Sequence, residues 1–315
     1  MQQTNGIPQT IIDRFGADAT AKRLDIEDTR ELKLGGRVRF CPARQFRKHA
    51  EIVFKCLGLW RRGYREYLNP IIRENEFAVS GSDPRLDGFS ILHISDLHLD
   101  LDPAFPPVLL GKIRAVAGRY DAVAITGDIH NLTVHTDGAA LGAMRSLMPA
   151  FTAPVYVALG NHDSLRDVPV LEEMGIRVLL NESVALDKKN GAAIRLAGID
   201  DANVFKTHDL AKALPPTAAP RPCSILLTHS PCVYKEAAAA GADIILAGHT
   251  HGGQICFPNG RSVIRRANGA HRPVWSGHWR VGESQGWTSY GVGACGLPIR
   301  INCPGEIVLH KLRVK

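Results

Sequence analysis

Seven polar side chains at the ends of apolar segments have the types and spacing needed to bind metal ions. The segments are "FSILHI", "DAVAIT", "PVYVAL", "SILLTHS" and "DIILAG", and the side chains are Asp96, His98, Asp128, Asn161, His229, His249 and His251. In open α/β sheets, ligands bind outside the carboxyl ends of the strands. Carboxylates, imidazoles and a neutral amide oxygen suit two divalent ions that share a bridging carboxylate. The sequence therefore predicts a dinuclear metal centre.

Each of these motifs has a plainer interpretation when it is taken singly. A lone histidine at the end of a strand is usually a hydrogen-bonded structural residue, and Asp and Asn are ordinary turn residues. Five such ends in one chain, each with an apolar segment, favour the metal centre. The glycines before Asp128, Asn161 and His249 also suit sharp turns that bring the backbone close to a ligand.

The elements that must position these residues alternate between strand and helix from Phe89 onward. Helices are predicted at "PPVLLGKIRAVAGRY", "GAALGAMRSLM", "VPVLEEMG" and "CVYKEAAAAG", between the apolar segments and short strands such as "AIRLAGI". The final "EIVLHKLRVK" alternates as a strand with one exposed face does. This rhythm predicts an α/β domain with mixed sheets over residues 88–315.

The first 87 residues divide into two parts. Residues 1–36 are polar and lack sustained periodicity, so we expect partial disorder there. Residues 37–87 predict a basic amphipathic helical extension and then a connector, "NPIIRENEFAVSGSDPRLDG", with turn chemistry. Along the extension, an apolar stripe recurs at spacings of three and four through Val53, Leu57 and Trp60.

The net charge of +7 comes from this extension. Ten Lys and Arg lie between Arg37 and Arg73 against two acids, which gives +8 and leaves the remaining chain near −1. One interpretation is a peripheral membrane contact through residues 46–68 on an anionic surface. The alternative, which amphipathic helices adopt more often, is that the stripe packs on the domain and the charges are solvated. The stripe matches no nucleic-acid-binding motif, so we expect no nucleic acid partner.

The cysteines and the hydropathy predict the compartment. Seven cysteines, an odd number without a CxxC pair, indicate reduced thiols in a cytosolic protein. The N-terminus lacks the pattern of a secretory signal, and no run approaches the ~20 apolar residues of a membrane span. We predict a cytoplasmic protein, with peripheral contact to the inner face of the membrane as the further option.

The order of the motifs resembles the signature of the calcineurin-like metallophosphoesterase superfamily, which is D-x-H, G-D, G-N-H-D/E, a lone His and G-H-x-H. The matching stretches are "DLH" at 96–98, "GD" at 127–128, "GNHD" at 160–163, His229 in "LTHSP" and "GHTH" at 248–251. The resemblance covers about residues 88–315. The longer stretches "AGHTHGGQI", "LAGIDD" and "GLPIR" are most similar to the bacterial branch of small, often membrane-linked phosphoesterases.

This resemblance implies a four-layer α/β/β/α sandwich with mixed sheets and two divalent metal ions, Mn²⁺ first, with Fe or Zn²⁺ as alternatives. The family pattern places Asp96, His98 and His251 on the first ion, makes Asp128 the bridge, and places Asn161, His229 and His249 on the second. By the same resemblance, His162 is the proton donor or charge stabiliser at the leaving group, and Asp163 assists it.

Four further residues are candidate substrate contacts. The protein-phosphatase branch resembles G-D-x-x-D-R-G after the second motif, whereas this chain reads "GDIHNLT", which argues against a Ser/Thr phosphoprotein phosphatase. His130 and Asn131 in that stretch are candidates, with a solvated loop histidine as the alternative. Arg265 and Arg266 lie in a Trp- and Gly-rich segment that could bind a phosphate. An ordinary surface loop is the alternative for that segment.

The resemblance implies hydrolysis of a phosphodiester or pyrophosphate bond by in-line attack of a metal-bridging hydroxide. The basic extension and the bacterial branch favour a lipid-linked substrate such as UDP-2,3-diacylglucosamine. The enzymatic alternative is a soluble phosphodiesterase of nucleotides or small diesters. The alternative from another class is a catalytically inactive scaffold, which predicts missing metal ligands, and none of the seven is missing.

Overall fold

The computed structural model describes residues 6–35, 42–79, 83–132, 138–187, 193–217, 221–263 and 272–315. Its strands are β1 Ile71–Val79, β2 Ser90–Ile94, β3 Ala122–Ile125, β4 Val155–Val157, β5 Ile176–Val178, β6 Glu182–Asp187, β7 Ala193–Gly198, β8 Cys223–Leu227, β9 Ile244–Ala247, β10 Gly277–Val281, β11 Ser284–Thr288 and β12 Glu306–Val314. They form two six-stranded sheets.

The first sheet has the strand order β1-β12-β2-β3-β4-β5. Strands β2 to β5 are parallel, and β12 pairs antiparallel with β2 and parallel with β1. Because β2, β3 and β4 are parallel neighbours, their carboxyl ends meet at one edge. The segments that carry Asp96, Asp128 and Asn161 leave the sheet at this edge.

The second sheet has the order β10-β11-β9-β8-β7-β6. Strands β7, β8, β9 and β11 are parallel, whereas β6 and β10 are antiparallel to their neighbours. Strands β8 and β9 end just before His229 and His249. Both sheets therefore direct candidate ligands to their carboxyl edges.

Helices cover the outer faces of both sheets. They are α1 Gln9–Phe15, α2 Ala17–Gly35, α3 Pro42–Cys56, α4 Trp60–Tyr67, α5 Phe105–Ala115, α6 Ala139–Leu147, α7 Val168–Glu173, α8 Leu210–Ala213 and α9 Tyr234–Ala239. Buried residues of α1, α2 and α4 to α7 share a core with the first sheet, and α8 and α9 share one with the second. A third core lies between the sheets. The predicted four-layer α/β/β/α sandwich with mixed sheets is confirmed.

The N-terminal prediction is wrong for residues 9–35, which form α1 and α2 against the domain instead of a partly disordered segment. Ile11 is buried in the outer core. Arg14 binds the carboxylates of Glu172 and Glu182 at 2.8 and 2.7 Å. Apolar periodicity did not predict these helices, because many of their contacts with the domain are ion pairs.

The predicted connector is also wrong, since it contains β1, which pairs with β12 along its whole length. The first sheet therefore begins at Ile71 and not at Phe89. Glu74 and Glu76 on this edge strand form ion pairs with Arg119 and Arg313. Charged side chains are common on edge strands, where they discourage pairing with other chains, and here they hid the strand from the apolar pattern.

The predicted amphipathic stripe at 46–68 is divided between two helices. Gly58, with a positive φ of 69°, separates α3 from α4. Tyr67 of α4 is buried, and its ring stacks on Phe105 at a centroid distance of 4.9 Å. On α3, Ile52 and Val53 are exposed, and Leu57, which directly follows α3, is 63% exposed. The stripe thus packs on the domain in α4 and faces outward in α3.

Across the parts of the chain that the structure describes, no helix combines the length and the apolar character that a bilayer crossing requires.

Candidate metal centre

Five of the candidate ligands adopt a backbone conformation that non-glycine residues rarely take. Asp96, His98, Asp128, His249 and His251 have φ angles of 54°, 45°, 55°, 71° and 53°. Left-handed non-glycine residues cost energy and concentrate at functional sites, where the surrounding fold holds them. The turns after β2, β3 and β9 therefore hold strained backbone where the candidate ligands converge.

A first group of donor atoms comes from Asp96, His98, Asp128 and His251. His98 Nε2 lies 3.2 Å from His251 Nε2, and His251 Nε2 lies 3.3 Å from Asp96 Oδ1. Asp128 Oδ2 lies 3.8 Å from His98 Nε2. Two nitrogen ligands at ~2.1 Å from one tetrahedral ion are about 3.4 Å apart, so these separations fit a shared ion.

A second group comes from Asp128, Asn161, His229 and His249. His229 Nε2 lies 3.3 Å from Asp128 Oδ2 and 3.1 Å from Asn161 Oδ1. His249 Nδ1 is 3.1 Å from the same nitrogen. Asp128 Oδ2 therefore faces both groups, as a bridging carboxylate must. A side chain at Gly160 would collide with Asp128, so the turn before Asn161 requires glycine.

Hydrogen bonds to the second ring nitrogen orient these imidazoles. Nδ1 of His98 donates to the carbonyl of His130 at 2.8 Å, and Nδ1 of His229 donates to the carbonyl of Thr126 at 2.8 Å. In both rings Nε2 is left as the donor atom for a metal. Such contacts fix the tautomer of metal-binding histidines.

The electrostatics of the site prepare most of the imidazoles to bind cations. Burial lowers the pKa of His98 to about 3, and burial together with His229 lowers the pKa of His249 to about 4. Neutral imidazole is the form that binds a metal. Burial opposes protonation of His229 too, but Asp128 raises the pKa of His229 well above its usual value. Metal binding must displace that proton.

His162 lies at the edge of both groups with its side chain 18% exposed. Nδ1 donates to the carbonyl of Asn131 at 2.8 Å, and Nε2 lies 3.9 Å from Asp128 Oδ2. Burial alone would lower the pKa of His162, but Asp128, Cys295 and the Asn131 carbonyl raise it to about 10. The imidazole is therefore oriented, and its raised pKa favours the protonated form.

Asp163 contacts backbone rather than the imidazole of His162, and its assisting role stays a prediction. Its Oδ2 accepts from the amides of Gly160 and Asp128, both at 2.8 Å. Its Oδ1 accepts from the amide of Ile129 at 2.8 Å. Asp163 thus ties together the turns after β3 and β4.

His130 is not the solvated loop histidine of the alternative, because its imidazole is buried and lies 3.2 Å from Asp167. Its role as a substrate contact stays a prediction. Asn131 is 8% exposed, and its carbonyl orients His162. Arg265 and Arg266 lie outside the described residues.

The Trp-rich segment after the last ligands was expected to be a loop, yet it contains β10 and β11. Trp279 and Trp287 are buried in that sheet, so they are core residues and not parts of a binding loop.

Sequence reasoning missed Arg23 of α2, which is fully buried beside the turn that carries Asn161 and His162. Its guanidinium donates to the carbonyl of Asp163 at 2.8 Å and binds the carboxylate of Asp200. It also pairs with Glu27 at 3.0 Å. The signal that could have found this pair is an Arg and a Glu four residues apart in "RLDIE", the spacing of neighbours on a helix.

Comparison with known proteins places this fold and site in one class. Residues 89–253, slightly more than half of the chain, match the model of the calcineurin-like phosphoesterase family. The chain belongs to this family and is a metal-dependent phosphoester hydrolase.

Among its relatives is the uncharacterized metallophosphoesterase YkoQ of Bacillus subtilis, 28% identical over 76% of this chain and 90% of that protein. A second protein from the same organism, the uncharacterized metallophosphoesterase YkuE, is 27% identical over 80% of this chain and 89% of its own length. A transmembrane protein with metallophosphoesterase domain from Bos taurus is 29% identical over 76% of this chain, but over only 56% of that protein.

Proposed function

We propose that this chain hydrolyses a phosphodiester or pyrophosphate bond with two divalent ions, one in each group of donor atoms. The observation that carries the proposal is the position of Asp128 Oδ2, which lies 3.8 Å from His98 Nε2 in one group and 3.3 Å from His229 Nε2 in the other. When bound, such a pair of ions supplies an activated water and neutralises phosphoryl oxygens during in-line displacement.

His162 is the residue that we propose to protonate the leaving oxygen. Its Nδ1 is engaged by the Asn131 carbonyl, so Nε2 is the atom that faces a substrate. The raised pKa of His162 favours a protonated Nε2. Cations held by the two groups of donor atoms would lower that pKa toward neutrality, where a general acid transfers its proton most effectively.

The ligand set does not select one metal by residue type. Asp, Asn and His side chains bind Mn²⁺, Fe and Zn²⁺, and we propose Mn²⁺ as the first ion to test for activity.

We further propose a lipid-linked substrate, because α3 and α4 join the metal centre to an exposed apolar surface. The carbonyl of Gly63 in α4 accepts from the amide of Arg300 at 2.9 Å. Arg300 in turn lies 3.4 Å from His251 Nδ1. The exposed Leu57 lies one turn before α4, so it belongs to the same helical segment that contacts Arg300.

A groove beside these helices adds to this argument. It is a shallow, open depression on the surface of α4, bordered by Trp60, Arg61, Tyr64 and Arg65. Aromatic rings and guanidinium groups together suit a substrate with an apolar part and a phosphate.

The experiment measures UMP release from UDP-2,3-diacylglucosamine by the protein with Mn²⁺, with bis-(p-nitrophenyl) phosphate as a parallel soluble diester. We expect both to be hydrolysed by wild type and by His278→Ala, a control at an exposed histidine, and neither by His162→Ala. Turnover of the soluble diester alone supports the soluble phosphodiesterase and contradicts the lipid-linked substrate. Absence of turnover of any diester or pyrophosphate with Mn²⁺, Fe²⁺ or Zn²⁺ supports the inactive scaffold.

A further inference from the structure

The thiol of Cys295 lies at the first group of donor atoms, although neither the motifs nor the family pattern include it. Ligand atoms of Cys295, His98 and His251 all lie within 4.8 Å of one another. Cys295 is half-buried, and it also contacts the imidazole of His162. Cys295 therefore lies beside His98 and His251, which are candidate metal ligands, and beside His162, the proposed proton donor.

The position of Cys295 is set by the motif that carries His251. The side chain of Gln254 accepts from the amide of Cys295 at 2.9 Å and donates to its carbonyl at 3.2 Å. The next amide, that of Gly296, donates to Asn131 Oδ1 at 3.1 Å. Both sides of the cysteine are thus anchored to residues beside the metal centre.

Two other cysteines near His251 differ from Cys295. The thiols of Cys256 and Cys303 contact the backbone carbonyls of Gly252 and His251 at 3.5 and 3.4 Å. Burial raises the pKa of Cys256 to about 12, and it raises the pKa of Cys303 as well. These two thiols are held as buried, protonated groups, whereas Cys295 faces the imidazoles.

We propose that Cys295 is an additional ligand of the ion in the first group, beside His98 and His251, and that it makes this position selective for a thiophilic ion such as Zn²⁺ or Fe²⁺. Sulfur ligands favour such ions over Mn²⁺, and on ligation the thiol releases its proton to solvent. The second group contains no cysteine, so the two positions differ in metal preference. This inference rests on the proposed metal centre and deepens it.

The test uses the full chain, stripped of metal by a chelator and reloaded with Co²⁺. A thiolate bound to Co²⁺ gives a near-ultraviolet charge-transfer absorption, while imidazole and carboxylate ligands give visible bands. We expect both in wild type and in Cys232→Ser, a control at a half-buried cysteine beside α9. Cys295→Ser should lose the ultraviolet absorption and keep the visible bands, which show that the site still assembles.

A second measurement uses the wild-type chain, so its result does not depend on whether a variant folds. Alkylation of each cysteine in the wild-type chain is followed by mass spectrometry with and without Zn²⁺. Because the metal-bound thiolate is shielded, we expect Zn²⁺ to slow alkylation of Cys295 by about tenfold or more and that of Cys232 little. Equal rates with and without Zn²⁺, or charge-transfer absorption that persists in Cys295→Ser, overturn the proposal.

The experiments distinguish failure of the Cys295 assignment from failure of the proposed hydrolysis. Thiolate-to-cobalt absorption without any hydrolysis keeps the ligand assignment and contradicts the proposed reaction. Diester hydrolysis without this absorption overturns the role of Cys295 and leaves the proposed function in place.

Discussion

The guanidinium of Arg23, in the second helix of the chain, donates a hydrogen bond of 2.8 Å to the backbone carbonyl of Asp163, in the turn that holds His162. Arg23 is completely buried, and its charge is balanced by Asp200 and Glu27. Helix α2 therefore contributes directly to the shape of the turn that carries the proposed proton donor, although it precedes the residues that match the family model.

We expect Arg23→Lys to lower kcat by about tenfold or more with little change in KM, because a small displacement of a catalytic turn slows chemistry more than binding. Lysine keeps the charge but cannot reproduce the planar fork that bonds several acceptors at once. Steady-state kinetics on the soluble diester measure this effect. The matched control is Arg14→Lys, which alters another ion pair of the N-terminal helices and leaves the turn untouched. Equal kcat values for the two variants contradict the positioning role.

Stability should respond to Arg23 as well. Arg23→Met removes the cation and leaves Asp200 buried without a cationic partner, whereas Glu27 keeps Arg166, so we expect the free energy of unfolding to fall by about 3–5 kcal/mol. Urea unfolding followed by circular dichroism measures it. A fall below about 1 kcal/mol, the size typical of exposed ion pairs, contradicts this account of the cluster.

Asp128 should matter to both ions, because its Oδ2 faces both groups of donor atoms. We expect Asp128→Asn to reduce the metal content from two ions per chain to less than one, while Asn161→Ala loses only the ion of the second group. Elemental analysis after gel filtration in metal-free buffer gives these ratios. Asp209→Asn, at the exposed start of α8, is the control and should retain two ions. Two ions bound to Asp128→Asn contradict a bridging carboxylate.

The parts of the fold that were predictable from sequence are those where local pattern and motif coincide. Apolar strands that end in Asp, His or Asn made the α/β domain and the seven candidate ligands visible. The ionic attachment of α2 was not visible, because Arg23 and Asp200 are 177 positions apart and neither belongs to an apolar period.

Residue type alone gave wrong predictions where tertiary contacts decide whether a side chain is buried. Trp279 and Trp287 indicated a binding loop, yet they are buried in the second sheet. His130 indicated either a substrate contact or a solvated loop histidine, and the second is wrong because its imidazole is buried beside Asp167. Whether an aromatic or a histidine faces solvent depends on strand pairing that one sequence does not encode locally.

Two buried histidines outside the metal centre, His93 and His310, should stabilise the fold less as the pH falls, because both must remain neutral. His93 Nε2 is 2.9 Å from Thr126 Oγ1, and its Nδ1 is 3.3 Å from His310 Nε2. Burial lowers the pKa of His93 to about 3, and burial together with His93 lowers the pKa of His310. A histidine in the unfolded chain titrates near pH ~6.5, so below that pH the unfolded state binds more protons than the folded state.

Keeping His93 neutral therefore lowers the free energy of unfolding by nothing above pH ~6.5, and this loss increases as the pH falls toward about 3. The expected slope approaches ~1.4 kcal/mol per pH unit for each such histidine. Urea unfolding at pH 7.5 and pH 5.5 measures it, and His310→Phe should reduce the loss. The exposed His49→Gln, on α3, is the control and should keep the wild-type loss. An unchanged loss in His310→Phe contradicts this assignment.

The exposed apolar face of α3 should bind a lipid surface if the substrate is lipid-linked. Ile52, Val53 and Leu57 are all more than half exposed, next to Lys55 and the arginines of α4. Transfer of one leucine side chain from water contributes ~1.5–3 kcal/mol, and ~1.4 kcal/mol corresponds to tenfold in affinity. We therefore expect Leu57→Ser to weaken binding to vesicles with anionic phospholipid by about tenfold.

The control for that measurement is Ile72→Ser, which removes an exposed apolar side chain from the edge strand β1. It should bind vesicles as wild type does, because β1 lies outside the basic helices. Flotation with anionic and with uncharged vesicles separates the apolar contribution from the electrostatic one, since only the electrostatic part weakens with salt. Equal binding of Leu57→Ser and wild type places any membrane contact elsewhere. It also removes the main support for a lipid-linked substrate while leaving the metal centre and its chemistry intact.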